Sequence, residues 1–270
     1  MKKILISFVL IAIFFACSKN DIKSLTSDEH SLSKNEPGSV IPSGLKKLLK
    51  AYPDYLDSAD NNHLYWKDGT VMVYDDGEEK TFEEMLDNPD LEDMFKIEYI
   101  SGREYESPPP LNYDPGRIRY EPFFKKIYGS SQSEVKGKLI SITWMPNSAN
   151  ISILVTSANG VDAQFKGVSE ELDKIDEKFK KYVTKTAGTF NWRAIAGTNR
   201  MSTHSYGIAI DINTAYSDYW LWSKTYNYNN RIPIEIVEVF EKYGFVWGGK
   251  WYHYDTMHFE YRPELFETAD

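Results

Sequence analysis

Two short segments hold side chains that could act together chemically. The first, Ser202-Thr-His-Ser-Tyr-Gly-Ile-Ala-Ile-Asp211, sets a histidine and an aspartate on either side of small residues. The second, Asp255-Thr-Met-His258-Phe-Glu260, places another histidine between two carboxylates. Two imidazoles and one carboxylate are the usual protein ligands of a catalytic zinc, whose fourth position stays open for water. A further carboxylate beside that water can take its proton. A single His-x6-Asp is weak evidence, since a turn-bound histidine and a loop-capping aspartate look the same. Ser202, Gly207 and Ala209 strengthen the metal reading because they leave room for an ion and a substrate. His253 competes with His258 as a ligand, but it sits among Trp and Tyr and lacks the strand pattern that follows His258.

The elements around these residues set their directions. Ile208, Ile210 and Ile212 alternate with Ala209, Asp211 and Asn213, the pattern of a half-buried strand. The isoleucines face the core, so Asp211 takes the other face, and His204 just upstream can fold back towards it. His258 and Glu260 share one face of a second short strand, with Phe259 and Tyr261 on the other. Two further strands are expected over 139–144 and 151–156, and a hairpin around Asp68-Gly69. Thr81-Phe-Glu-Glu opens a helix with a capping box. Val168, Leu172, Ile175 and Phe179 recur at helical spacing and predict one amphipathic helix. Another helix starts near Pro233, turns Ile236, Val237 and Phe240 inward, and ends at Gly244. Without a regular βαβ rhythm, this mixture predicts an α+β fold with a small antiparallel sheet and flanking helices.

The motif Ser202-x-His204-x-x-Gly207-x-Ala209-x-Asp211, followed by Asp255-x-x-His258, resembles the D-alanyl-D-alanine carboxypeptidase family of zinc peptidases. That family includes VanY-type carboxypeptidases, vancomycin-resistance dipeptidases and L-alanyl-D-glutamate endopeptidases. Asp255 stands where the dipeptidases use Glu, which is closer to the endopeptidase branch. Phe245-Val-Trp-Gly-Gly-Lys-Trp251 resembles the family's Gly-Phe-x-Trp-Gly segment. The likeness covers residues 186–263 and is faint before about 160. It implies a hedgehog/D-Ala-D-Ala-peptidase-like zinc fold with an N-terminal extension. It also implies that His204, Asp211 and His258 bind Zn(2+), that Asp255 is the base, and that Arg193 steadies the substrate carbonyl or carboxylate. Arg200 is the rival for that last role, and Ser202 is a candidate to hydrogen-bond substrate. The substrate class implied is peptidoglycan stem peptides.

At 41% apolar and 15% aromatic residues, 270 residues suffice for one sizeable domain. A net charge of −9, with acids spread throughout, argues against a nucleic-acid partner. Lys2 and Lys3 precede an apolar run to Phe15, which ends at Ala16-Cys17. This start resembles a bacterial lipoprotein signal, with Phe14 where Leu is usual. The expected organisation is a signal over 1–17 with Cys17 lipidated and a flexible tether over 18–44. An extension packed on the catalytic domain (45–160) and a zinc peptidase core (161–270) follow. The protein is then expected to be a monomeric, membrane-anchored lipoprotein of the cell envelope, facing the periplasm or the exterior. Two other readings compete. One is a non-catalytic peptidoglycan-binding module on the same fold. The other is a serine-type wall peptidase using Ser133-x-x-Lys136 with Lys185-Thr-Ala-Gly188, whose last element has one residue too many.

Overall fold

The computed structural model describes residues 40–268; the signal, Cys17 and most of the tether lie outside them. The chain opens with helix α1 (Ser43–Ala51) and an antiparallel sheet of β1 (Leu56–Ala59), β2 (His63–Trp66) and β3 (Val71–Val73). The β2–β3 hairpin turns at Asp68-Gly69, as the sequence predicts, with Gly69 at φ 84°. Helix α2 (Phe82–Asp87) carries the expected capping box, in which Thr81 and Glu84 satisfy each other's backbone N–H. Helices α3 (Glu121–Tyr128) and α4 (Gln132–Lys136) lead into the hairpin of β4 (Leu139–Trp144) and β5 (Ile151–Thr156). Helices α5 (Val161–Leu172) and α6 (Glu177–Lys180) come next, then β6 (Ala209–Asp211), α7 (Ile234–Lys242), β7 (Phe245–Trp247) and β8 (His258–Tyr261). The last three strands form an antiparallel sheet in the order β6-β8-β7. The architecture is α+β, with three small antiparallel sheets among short helices. Among the described residues, no helix is long and apolar enough to cross a membrane.

One expected helix is interrupted. Helix α5 begins at Val161, buries Val161, Phe165, Val168 and Leu172, and stops there. The Asp173 carboxylate is drawn aside to the Asn147 backbone N–H at 2.9 Å. Asp176 then caps a new turn, α6, by accepting the Lys178 N–H at 3.1 Å. Ile175 and Phe179 still pack on the core. The apolar spacing survives across the break because burial needs only that side chains point inward, while local aspartate hydrogen bonds end the helix.

The core lies beneath the last sheet. Phe240 of α7 stacks on Phe259 of β8, with centroids 3.8 Å apart, and Phe165 of α5 meets Phe245 of β7 edge-on at 4.7 Å. Ile208, Ile210 and Ile212 are all fully buried, as their alternation requires. Residues before 160 are tied into this core by polar bonds as well. Tyr52, at the end of α1, donates to Glu264 Oε2 at 2.7 Å. Lys250 Nζ donates to the Ile100 and Gly102 carbonyls and to Glu241, which also accepts from Tyr99.

Candidate metal centre

Strand register brings the second and third metal-ligand candidates together. In the β6–β8 ladder Asp211 lies directly opposite His258, and Ala209 directly opposite Glu260. Directly opposed residues share a face, so Asp211, His258 and Glu260 project from the same side, and the small Ala209 leaves them space. His204 comes from a 3-10 turn over Thr203–Tyr206 that ends at Gly207, φ 69°. A side chain at Gly207 would meet Leu139 at 2.8 Å and the Thr156 backbone at 3.1 Å, so only glycine permits this approach to β5. The Thr156 N–H donates to the Gly207 carbonyl, and Thr189 Oγ1 to Leu154 O at 2.6 Å. The β4–β5 hairpin thus holds both the His204 turn and the Thr189 segment whose carbonyl accepts from His204.

Outer hydrogen bonds set both histidine tautomers. His204 Nδ1 donates to the Thr189 carbonyl at 2.6 Å, which leaves Nε2 as the inward atom. His258 Nε2 donates to Glu260 Oε2 at 2.9 Å, which leaves Nδ1 inward. The three inward atoms form a nearly equilateral triangle. His204 Nε2 is 3.2 Å from Asp211 Oδ1, His258 Nδ1 is 3.1 Å from it, and the two nitrogens are 3.2 Å apart. Two imidazole lone pairs do not face each other at this distance without a proton or cation between them. Tetrahedral zinc, with bonds near 2.0–2.1 Å, separates its ligands by roughly 3.3 Å. The donor set and its spacing therefore fit that ion. Two other acidic groups, around Asp76 and around Asp90 and Asp93, already hold Lys80 Nζ at 2.8–3.2 Å.

The electrostatics separate the surrounding groups. Burial opposes charge on His258, but the Asp211 and Glu260 carboxylates on either side outweigh it and push its pKa up to about 10. The proton so favoured is what an incoming cation would displace. Desolvation would raise Asp211, yet the His204 and His258 imidazoles beside it hold it well below the usual carboxylate range. Glu260 is fully buried and also held well below its ordinary value: the Arg119 guanidinium and His258 overcome its desolvation. Asp255 goes the other way. Its Oδ1 is buried without a hydrogen-bond partner, and burial, with the Asp211 charge adding, pushes its pKa up to about 6 against the pull of the two histidines. The Asp255 backbone N–H bonds Gly248 O at 3.0 Å, and a bridge to Tyr219 fixes the loop from the other side.

A cavity of about 280 Å³ joins these parts: His204, Asp211, Asp255 and His258 line it with Ser202, Arg193 and a wall of Trp220, Trp222 and Trp251. Arg193 has no carboxylate partner among the described residues, its guanidinium donating only to Ala194 O at 3.3 Å. Arg200, the rival, lies in an adjoining cavity beside Asp87. His253 borders the site without joining the triangle; its Nδ1 bonds Asp114 Oδ2 at 2.6 Å. Ser133 is exposed on α4 and lines none of these cavities. Nothing local in the sequence marks Arg119, Asp114 or the Thr189 carbonyl as part of this site. Strand alternation marks Glu260 only as a neighbour of His258 on the same face. Residues 196–261 match the family model of D-alanyl-D-alanine carboxypeptidase. The matched stretch contains His204, Asp211, Asp255 and His258, and leaves out Arg193, Thr189 and everything before them. No curated protein and no solved structure matches the chain.

Proposed function

We propose that this chain is a zinc-dependent peptidase that hydrolyses peptide bonds of bacterial peptidoglycan. The observation that carries the reading is the triangle of His204 Nε2, Asp211 Oδ1 and His258 Nδ1 with the Asp255 carboxylate lining the same cavity. His204, Asp211 and His258 would hold the ion, which supplies Lewis-acid activation of water and of the peptide carbonyl at neutral pH. Asp255 is the base: its carboxylate lines the cavity beside the two histidines, and its raised pKa suits it to take the proton of the attacking water. The same proton then passes from Asp255 to the leaving nitrogen as the C–N bond breaks, so the products are a carboxylic acid and an amine, which exchange a proton to become carboxylate and ammonium. Arg193 steadies the carbonyl oxygen as negative charge collects on it, a task suited to a planar cation with no other anion to hold. Ser202, in the cavity wall, offers its hydroxyl to the substrate backbone. On this reading Cys17 carries a lipid that keeps the domain outside the cytoplasm, where its polymer is.

The test is digestion of purified muropeptides by the zinc-loaded protein. New products should appear, their masses identifying the scissile bond, and a chelator should stop their formation. Unchanged muropeptides beside an active control enzyme would overturn the reading in favour of a binding module.

A further inference from the structure

The wall between the metal-ligand cavity and its neighbour is built of arginines. Arg117 and Arg119 border both cavities, Arg193 borders the first, and Arg200 the second, which holds about 540 Å³. These are four of the seven arginines in a chain of net charge −9, and no lysine lines either cavity. Selection of the planar guanidinium over the ammonium points to bidentate recognition of an oxyanion. Arg119 is already committed, and Arg117 only in part. Arg119 grips Glu260 with two N–H groups, and Arg117 spends one donor on Asp114, which also accepts from His253.

Arg200 is different. Its Nε is buried and makes no hydrogen bond, although Asp87 Oδ1 lies 3.2 Å away within ion-pair range. Asp87 is itself 73% exposed, whereas the Arg200 side chain is only 18% exposed. The other carboxylate bordering this cavity, Glu121, is taken by the Met201 N–H and by Lys125. Desolvation and the charges of Arg117 and Arg119 all weigh against the Arg200 cation. The fold therefore keeps a partly buried guanidinium near two others, with only a solvent-exposed aspartate beside it.

We propose that Arg200 and Arg117 form a carboxylate-binding subsite, built where residues before 160 meet the matched segment, that seats a carboxylate of the peptide substrate one cavity away from the metal centre. This inference rests on the peptidase reading for its substrate class. The carboxylate has two possible sources, a chain terminus or a side chain. Asp87 is the group the substrate displaces from Arg200.

Binding separates this proposal from the peptidase reading. Calorimetry would use the zinc-loaded protein in an Asp255→Asn background, so that turnover does not intrude. Ac-Lys-D-Ala-D-Ala and its C-terminal amide report a terminal carboxylate; Ac-L-Ala-D-Glu-amide and Ac-L-Ala-D-Gln-amide report a side-chain one. In at least one pair the acid should bind about tenfold tighter than its amide, the scale of a hydrogen-bonded charge. Arg200→Gln should abolish that preference. Asp87→Asn should strengthen binding of the acid by up to about fivefold and leave the amide unchanged, a gain that no folding defect produces. Equal affinity within both pairs, no affinity for any probe, an intact preference in Arg200→Gln or weaker acid binding in Asp87→Asn would each overturn the subsite. A preference for the acid in a protein whose wild type cuts no muropeptide would keep the subsite and retire the peptidase reading. Cleavage without preference would do the reverse.

Discussion

In the sequence His258 stands between two carboxylates, Asp255 and Glu260, that the fold treats in opposite ways. On one side Glu260 is sealed in the interior, gripped by Arg119 and Arg262 and bonded by Thr203 Oγ1 at 3.0 Å. Arg262 passes the network on to Glu264, and Glu264 to Tyr52 of the first helix. On the other side Asp255 faces the cavity, with one oxygen unbonded and its pKa pushed up to about 6. The same functional group thus becomes an anchor where cations and donors surround it, and a proton acceptor where they are withheld. The difference arises from neighbours far off in the chain, not from the carboxylates themselves.

Removing each carboxylate should give unlike defects. Asp255→Asn should lower kcat by roughly 10²–10⁴, the usual contribution of a positioned base, while zinc content measured by metal analysis stays stoichiometric. Loss of zinc in that variant would make Asp255 a ligand rather than a base. Glu260→Gln should act on the fold first. It leaves Arg119 and Arg262 without their shared buried anion, so stability by chemical denaturation should fall by about 3–5 kcal/mol. Its zinc affinity should drop by roughly 10–100-fold, since His258 loses the carboxylate that orients it. Wild-type stability with full activity loss would place Glu260 on the catalytic side of the comparison.

The pH dependence of stability should also separate them in chelator-treated protein. Asp255 in the fold titrates near 6, above the roughly 3.9 of an unfolded chain. Between those values the folded state binds more protons, so its stability falls as pH rises, by up to about 2 kcal/mol, and is level above pH 6. Denaturation at pH 4.5 and 7 should show this fall in wild type relative to Asp255→Asn; no difference between the two would return Asp255 to an ordinary surface acid. Glu260 is depressed, so its contribution runs oppositely: present above the unfolded value and lost only as pH drops below it. The smallest effect is expected for Thr203→Val, which removes one bond to Glu260 and should cost about 1–2 kcal/mol with the zinc site intact.

Much of the ligand set could be read along the chain because short-range periodicity carries it. Alternation around Ile208 to Ile212 turns Asp211 away from the core, and alternation in His258 to Tyr261 puts Glu260 beside His258. The hairpin at Asp68-Gly69, the capping box at Thr81 and the helix ending before Gly244 rest on equally local chemistry. The helix expected to run from Val168 to Phe179 failed for a local reason too: Asp173 and Asp176 offered the backbone competing hydrogen bonds that apolar spacing does not register.

Other features depended on partners that sequence separation hides. Arg119 is 141 residues from Glu260, and Asp114 is 139 from His253. Nothing in Asp114-Pro-Gly-Arg-Ile-Arg119 announces that its arginines wall the cavity, because their direction is set by what they meet rather than by their own neighbours. By itself, the sequence determined which side chains could carry the proposed chemistry and which face of each strand they occupy, since backbone periodicity decides that within a few residues. Only the tertiary structure decided the register that sets Asp211 opposite His258, the tautomers of both histidines, and which carboxylate is locked among cations and which keeps an unbonded oxygen. Those depend on burial and on charges brought together from distant parts of the chain, where the low dielectric makes each partner, or its absence, decisive.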